Sequence, residues 1–539
     1  MRPRWLTIIL IPGLFTAPVG LAEELPDGET LVANKAVIGE IIINRENVFD
    51  LSIPKENNWL YRFANRVHIV SRDSLIRKQL LIASGDDYSK RLSDESERIL
   101  RRNRYLYDAD IVPTRYENGV VDLEVTTRDT WSLLPALSLS RSGGENKTRI
   151  GLVETNLLGN GQRIAVIGEE DVDRRSRTFE YSDRHLGRSW VSTALSISEN
   201  SDGHTHVLSA VRPFYQLDAR WTAGIRLSDT DRGETLYELG NQAAEYQQER
   251  DYHSTFFGWS KGLRKGRTRR WTVGLVYDDN VFSAVSNGTL PSVIPSDRKL
   301  VYPFIYFEQV QDHFETAKNR NQISQTEDFL MGRRMAASLG WSDTSLGADR
   351  DAVIYFGTVS QGFGSMSGNA LQMSLSVDGR IESGEPANSL AHIFVRYYRK
   401  QSEKRLFFAS IRATAGYALD LDNPVRLGGD TGLRGFPLRY QNGESKLIAT
   451  VEQRHFTDWY PFRLFRVGGA LFADVGRVWG ESPVDEERLD WLADAGFGLR
   501  LAFTRSSSGK VVHIDVAFPI NGDPTIDKVQ FLVEARQSF

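Results

Sequence analysis

The stretch that decides the fold is Val425–Tyr440, with the sequence VRLGGDTGLRGFPLRY. Glycines recur at positions 428, 429, 432 and 435, and glycine admits backbone angles that other residues avoid. The stretch is therefore predicted to be a tightly folded loop. Arg434 lies between Leu433 and Gly435, and its planar guanidinium carries five N–H donors that need acceptors wherever water is excluded.

Length and composition bound the fold class. A chain of 539 residues is long enough for two units. The mean hydropathy is −0.36, and no apolar run of membrane-helix length follows the N-terminus. A transmembrane β-barrel escapes that test, because its strands alternate lipid-facing and lumen-facing residues.

Charge and cysteine content exclude several classes of function. The sequence has no cysteine, which excludes disulfide scaffolds, thiolate metal sites and cysteine nucleophiles. The formal net charge is −4, so nucleic acid is not expected as a partner.

The N-terminus has the pattern of a secretory leader. Basic residues precede an apolar segment that proline and glycine interrupt, and small residues end at Ala22. We predict that residues 1–22 are a signal peptide and that the mature chain is exported.

Residues 35–128 are predicted to form a small α/β module with the order β-α-α-β-β. A strand at 37–43 is followed by helices at 73–82 and 89–103, the first capped by Asp73 or Ser71. Strands at 105–116 and 120–127 then form a hairpin around Glu117-Asn118-Gly119. The segment at 44–66 is an insert whose aromatic residues favour core packing or docking.

From Trp131 onward the pattern changes to strand alternation, as in Leu371-Gln372-Met373-Ser374-Leu375. Residues 131–539 are predicted to form an antiparallel barrel, since a single β-sandwich, the alternative, is too small for some four hundred residues of strands. Phe531 and the terminal Phe539 fall on one face of the last strand. The first and last strands, near 131–141 and 526–539, must pair to close the barrel.

These features resemble the BamA/TamA superfamily of outer-membrane insertases and translocases. GLRGF at 432–436 is similar to the arginine-glycine-aromatic signature of the loop that enters the barrel lumen in that family. The module at 35–128 resembles a single POTRA domain, and a terminal aromatic strand is common in outer-membrane barrels. The resemblance implies a mainly β fold: a transmembrane barrel of about 16 strands after one POTRA-like domain.

The resemblance also implies acidic partners for the lumen loop, 420–443. FADVG at 472–476 resembles the family's phenylalanine-x-aspartate-x-glycine strand, and Glu452 matches the acidic position one strand earlier. Alternation agrees, because Val451, Ala473 and Val475 would face lipid and put Glu452 and Asp474 in the lumen. The predicted loop site comprises Arg434, Gly435, Phe436, Glu452, Asp474 and Gly476, with Phe531 and Phe539 as the C-terminal signal.

Strand counting gives a partial answer. Five candidate strands follow the loop, as the resemblance requires. More than eleven precede it. Either some of these lie in long surface loops, for which we select 230–250 and 283–298, or the barrel has more than 16 strands.

Enzyme motifs are absent from the sequence. There is no GxSxG, HExxH or GxxxxGK[ST] pattern, and His204 and His206 form the only close histidine pair. Strand spacing puts both on one face, but no further metal ligand is identified. No cofactor, no metal and no catalytic residue are predicted.

The function that the resemblance implies is assembly or translocation of other proteins at the outer membrane of a Gram-negative bacterium. Residues 23–128 would lie in the periplasm, where the module at 35–128 would capture unfolded client proteins or chaperones by adding a strand to its sheet edge. The first and last barrel strands would form a weak seam that opens laterally. The lipid bilayer is the other partner. A two-partner-type secretion pore and a passive channel remain as alternatives.

Overall fold

A computed structural model describes residues 25–286, 288, 290–484 and 489–536. The leader predicted at 1–22 and the terminal Phe539 lie outside the described residues. In the part of the chain that is described, no helix is long and apolar enough to cross a membrane.

An α/β unit precedes the barrel. Its elements are α1 (Gly28–Ala33), β1 (Val37–Glu46), α2 (Trp59–Val67), α3 (Asp73–Arg77), α4 (Lys90–Arg101), β2 (Leu106–Glu117) and β3 (Val120–Asp129). The predicted insert contains α2, which Asn58 caps. The predicted first helix is shorter than expected, and its N-cap is Arg72, without the side-chain bond expected from Asp73 or Ser71.

The three strands of this unit form one sheet in the order β1-β3-β2. β1 pairs with β3 in parallel and β2 pairs with β3 antiparallel. Leu31, Ile38, Leu100 and Leu123 are fully or almost fully buried in its core. The unit therefore has a hydrophobic core of its own beside the barrel.

The barrel begins with β4. Its first segments are β4 (Leu133–Pro135), β5 (Ser138–Ser142), β6 (Glu145–Glu154), β7 (Arg163–Glu170), β8 (Arg175–Asp183), β9 (Ser192–Asn200), β10 (Gly203–Arg212), β11 (Trp221–Glu238), β12 (Asn241–Arg264), β13 (Arg267–Ser283) and β14 (Arg298–Gln311). A separate hairpin follows, formed by β15 (Phe314–Ala317) and β16 (Glu327–Leu330). The wall resumes with β17 (Arg334–Ser342), β18 (Ala352–Gly364), β19 (Asn369–Glu382), β20 (Glu385–Ser402) and β21 (Arg405–Tyr417).

The last part of the chain contains the predicted lumen loop and closes the barrel. β22 (Val425–Leu427) and β23 (Gln441–Gly443) pair with each other as the stem of the loop. The final wall strands are β24 (Ser445–Phe456), β25 (Phe465–Trp479), β26 (Leu492–Phe503), β27 (Val511–Pro519) and β28 (Gln530–Arg536). β28 pairs with β5 and closes the sheet.

The barrel has 20 strands, so the expectation of about 16 is wrong. Twenty-one segments join the closed sheet, but β4 and β5 both pair with β6 and form one interrupted strand. Five strands follow the lumen loop, as predicted, and all the additional strands precede it. The loop therefore lies between the fifteenth and sixteenth strands.

The assignment of 230–250 to a surface loop is also wrong. These residues form the ends of β11 and β12, which pair from Trp221↔Trp259 as far as Glu238↔Asn241. Leu239 and Gly240 make the turn with φ of 47° and 81°, the left-handed angles that a tight hairpin needs. The segment at 283–298 does connect β13 and β14, apart from residues 287 and 289, which are not described.

The outer face of the barrel is apolar. Leu471, Phe497, Leu499 and Phe531 are each more than half exposed, at 63%, 51%, 51% and 58%. Charged residues on the same strands, such as Arg500, are buried on the lumen side. Soluble proteins do not expose an apolar band of this extent, so the barrel is a transmembrane one.

A closed barrel should be heat-modifiable. Its strand ladder has no free edge for detergent to open, so the unboiled protein should migrate differently from the boiled protein on a denaturing gel. Fractionation with membranes should accompany this shift. A single band at the unfolded position with and without boiling would contradict the closed ladder.

Candidate functional site

The lumen loop enters the barrel from the end opposite the α/β unit and folds back against the wall. Its apolar side chains Leu427, Leu433, Phe436 and Tyr440 are almost fully buried and pack on wall strands. Gly432 adopts φ of 126°, an angle that favours glycine. The loop is thus fixed in place by its own small core.

Arg434 makes the contacts expected of it. Its Nε and Nη2 donate to the two carboxylate oxygens of Asp474 at 2.7 and 3.0 Å, and Nη1 donates to Glu452 Oε1 at 2.8 Å. The guanidinium carbon lies 3.5 Å from the ring centroid of Phe472, and Arg434 is 2% exposed. Charge-assisted bonds of this kind are strong because both partners are shielded from water.

The other predicted residues of the loop site lie in close contact with their neighbours. The Gly435 N–H donates to Asp494 Oδ2 at 3.0 Å, and a Cβ on Gly435 would lie 2.6 Å from the Asp494 Cβ. Phe436 is fully buried. Gly476 faces the loop, where an added Cβ would meet Leu433 at 3.3 Å.

Four polar residues of this network were missed by the sequence reasoning. Arg454 donates to Glu452 Oε2 at 2.8 Å, and Thr450 donates to Asp474 Oδ1 at 2.7 Å. Asp494 accepts from the loop backbone, and Asp515 lies 4.0 Å from Arg434 Nη1. Alternation could have placed these side chains in the lumen, since Thr450 and Arg454 share β24 with Glu452, and Asp494 and Asp515 face inward on β26 and β27, the next two strands after β25.

In the described part of the chain, which ends at residue 536, the closure between the first and last strands has the fewest ladder pairs of any wall boundary. One residue pair, Val533↔Arg141, joins β28 to β5 there, whereas seven pairs join β27 to β28. Phe531 lies on the lipid-facing side of β28. We refer to the β28–β5 boundary as the seam.

The lumen loop contacts the first hairpin beside the seam. The Leu438 N–H donates to the Gly143 carbonyl at 3.3 Å, and a Cβ on Gly143 would lie 2.2 Å from the Leu438 nitrogen. Gly143 forms the β5–β6 turn at φ of 53°. A cavity of about 690 Å³ lies among the loop, β5 and β28 and is lined by many basic residues.

The α/β unit is joined to the barrel at its opposite mouth. Arg505 Nη2 donates to Glu56 Oε1 at 2.7 Å, and Arg101 donates to both oxygens of Asp328 at 2.8 and 3.0 Å. Asp328 belongs to the β15–β16 hairpin, which extends to the lumen wall. There Arg454 Nη1 donates to the Arg320 carbonyl at 2.7 Å, so hydrogen bonds link the unit to the Arg434 network.

No protein-family model and no curated protein sequence matches the chain. Among solved structures, the chain is similar to BamA from Haemophilus ducreyi lacking POTRA domains 1–3, at 13% identity and a TM-score of 0.36, over 92% of this chain and 84% of that one. It is also similar to CdiB from Acinetobacter baumannii, at 13% identity and a TM-score of 0.46 over 93% and 74% of the two chains. CdiB from Escherichia coli matches at 14% identity and a TM-score of 0.46 over 92% and 76%.

Proposed function

We propose that this chain is an outer-membrane protein of a Gram-negative bacterium that assembles or translocates other proteins, with residues 23–128 in the periplasm. The observation that carries the proposal is the seam, where a single residue pair joins the described residues of β28 and β5. Because the described residues give this boundary fewer ladder pairs than the other wall boundaries, we expect it to open at a lower free-energy cost, since each further ladder pair adds hydrogen bonds that must break. A client strand could then add to the exposed edges.

The lumen loop acts in this proposal as a brace for the seam. Arg434 fixes the loop to β24 and β25, and the loop in turn contacts Gly143 beside β5. Losing the loop's attachment would therefore leave the β5–β6 hairpin without its inner support. No chemical reaction is required for this role.

The α/β unit would capture client segments. Within the described residues, β2 pairs only with β3, so its outer edge is a candidate for strand addition. Part of that edge is already occupied, because Glu97 accepts from the Ile111 N–H and Arg101 donates to the Ala109 carbonyl. The segment at 112–117 is therefore the stretch to which we assign capture.

The alternatives differ in the path of the client. A secretion pore would pass the client through the lumen, whereas the proposed seam would release it laterally into the membrane. A passive channel needs neither the capturing unit nor a loop fixed in its lumen. The structural features thus favour an assembly or translocation role.

Site-specific crosslinking tests the capture step. A photo-crosslinking amino acid at Arg115, an exposed residue of β2, should trap newly made outer-membrane proteins in intact cells. The adducts should appear in a short pulse of synthesis and disappear in the chase, because clients occupy the edge only in transit. The same amino acid at Lys35, in an exposed turn, is the control. Absence of transient adducts above that control would contradict the proposal.

A further inference from the structure

A cluster of imidazole and carboxylate groups lies on the outer face of the barrel. His204 and His206 are two residues apart on β10, and Asp229 lies directly opposite His206 on β11. Their ligand atoms all fall within 4.8 Å of one another. Glu199 lies opposite His204 on the other neighbour, β9, and its Oε1 is 3.3 Å from His206 Nε2.

The arrangement follows from strand geometry. Residues i and i+2 of a strand project from the same face, and cross-strand pairs lie beside them. Three adjacent strands therefore present four donor groups at one point. The Asp229 carboxylate is 3.1 Å from His204 Nε2. It supplies the third ligand, which the sequence pattern of the two histidines does not reveal.

The geometry points to a binding site for a divalent transition-metal ion of the Zn²⁺ class at His204, His206 and Asp229. Two imidazoles and a carboxylate are a donor set that Zn²⁺ prefers over Ca²⁺ or Mg²⁺, which take oxygen ligands. Side-chain rotations would bring these ligand atoms, which lie within 4.8 Å of one another, to metal bonds of about 2.0–2.2 Å. Water would complete the coordination, because the three side chains are between 32% and 55% exposed.

The site lies at the end of the barrel away from the α/β unit. β10 runs from the 201–202 turn toward residues 213–220, and in that second connection the Leu217 N–H donates to Glu95 of α4. The outward Leu208 and Leu227 continue the same face toward the unit and belong to the apolar band. The metal would therefore bind beside the polar surface of the far leaflet.

Metal binding should be measured on the folded full chain in detergent, without a histidine tag. Titration with ZnCl₂ should show one saturable site per chain that excess CaCl₂ does not occupy. His204→Gln and His206→Gln should each weaken binding by about tenfold or more, since loss even of a group that only orients a ligand costs about that much. His253→Gln is the matched control, because His253 also faces outward but stacks on Tyr277 outside the cluster.

Heat-modifiable migration shows that each variant is folded. Absence of saturable Zn²⁺ binding to the folded wild-type chain would overturn the assignment. Binding that His253→Gln reduces as much as His206→Gln does would overturn it too.

Helix α2 carries an independent second inference, because it has two apolar faces. One face docks on the protein, where Tyr61 stacks on Phe49 at 4.1 Å and Asn65 donates to the Phe49 carbonyl. The opposite face exposes Trp59, Leu60 and Phe63 at 73%, 50% and 54%. A nine-residue helix with such a face is unusual on a surface that meets only water.

The position of α2 indicates what covers this face. The Tyr61 hydroxyl donates to the carbonyl of Phe462 in the β24–β25 turn. Phe462 and the nearby Trp459 are 74% and 64% exposed, at the level where transmembrane barrels place an aromatic girdle. The helix therefore continues the rim of the lipid-facing surface.

We infer that α2 lies in the near leaflet of the membrane, with Trp59, Leu60 and Phe63 in contact with phospholipid. Arg62 and Arg66 are exposed and flank this face at helical spacing, where they would meet lipid phosphates. The Trp131 N–H, just before β4, donates to the Arg505 carbonyl, and the Arg505 side chain donates to Glu56 of the same insert. The helix is thus attached to the protein beside the periplasmic end of the first strand.

The absence of cysteine allows a single fluorophore to test this contact. An environment-sensitive dye on Phe63→Cys should be blue-shifted in phosphatidylethanolamine–phosphatidylglycerol vesicles and quenched by lipids with a nitroxide near the headgroup. The same dye on Arg115→Cys, an exposed position on β2, should remain in water. A Phe63 dye that behaves like the Arg115 dye would overturn the inference. A shielded dye that nitroxide lipids do not quench would also overturn it and would indicate a protein partner.

Discussion

Replacing Arg434 by alanine should abolish function while the barrel still closes and inserts. The wall ladder does not include Arg434, but the loop's position depends on it, since its guanidinium makes three bonds of 3.0 Å or less to Asp474 and Glu452. Removing one partner of a buried ion pair costs about 3–5 kcal/mol, because the remaining charges lose their compensation. The loop should therefore detach from β24 and β25.

Two readouts separate this effect from misfolding. Heat-modifiable migration should be retained, and growth or client assembly that depends on the protein should be lost. Detachment can be followed with Leu433→Cys, since Leu433 is fully buried in the attached loop and the chain has no other cysteine. A maleimide should label this cysteine quickly in the Arg434→Ala background and slowly when Arg434 is present.

Conservative and matched variants refine the prediction. Arg434→Lys should restore little function, because an ammonium cannot bridge two carboxylates with a planar fork. Arg426→Ala is the matched control, since Arg426 lies in the stem of the same loop and is only partly buried. Retained function in Arg434→Ala, or an equal loss in Arg426→Ala, would remove the basis for a brace at Arg434.

The two acidic partners should not be equal. Asp474 accepts two bonds from Arg434 and one from Thr450, whereas Glu452 accepts one from Arg434 and shares its other oxygen with Arg454. Asp474→Asn should therefore reduce function more than Glu452→Gln. In Glu452→Gln, Arg454 can still donate a hydrogen bond to the side-chain oxygen at position 452.

The sequence predicts the end of the chain well because three signals coincide there. Alternation, turn residues and the loop motif each fix the register of the strands after Tyr440, and alternation placed Glu452 and Asp474 in the lumen, where both are buried. The contacts of Asp494 could not be deduced in the same way. They depend on which loop atom approaches its strand, and a pattern along one strand does not contain that information.

The strand count failed for a physical reason at 230–250. Alternation in a transmembrane strand reflects lipid on one face and the lumen on the other. β12 has 24 residues, far more than the 9–11 or so that cross a bilayer, so much of it extends beyond the membrane. There neither face meets lipid: one face is buried, with Ala244 and Tyr246 at 2% and 1% exposure, and the other meets water. Such a strand keeps its hydrogen bonds but has no lipid-facing apolar side, and the segment looks like a loop in the sequence.

Locking the seam with a disulfide should stop the assembly of clients. Arg141 and Val533 are directly paired, and the Cα atoms of such pairs are about 4.5–5.5 Å apart, which is within the range of a disulfide. In the cysteine-free chain, Arg141→Cys with Val533→Cys should oxidise to a single crosslink, and function should return on reduction. The control is Val512→Cys with Ala535→Cys, a pair in the β27–β28 ladder. That boundary is not expected to open, so its disulfide should leave function intact.

The locked seam also separates the routes that a client could take. Assembly through a lateral opening requires β5 and β28 to part, so the oxidised seam variant should be inactive even though its lumen and α/β unit are unchanged. A secretion pore would release its client through the lumen, and the crosslink lies in the wall. Full activity of the oxidised seam variant, with the crosslink verified by mass spectrometry, would therefore contradict lateral opening and favour the lumenal route. Equal loss in the β27–β28 control would instead show that the wall as a whole must deform, and the single pair at the seam would no longer explain the function.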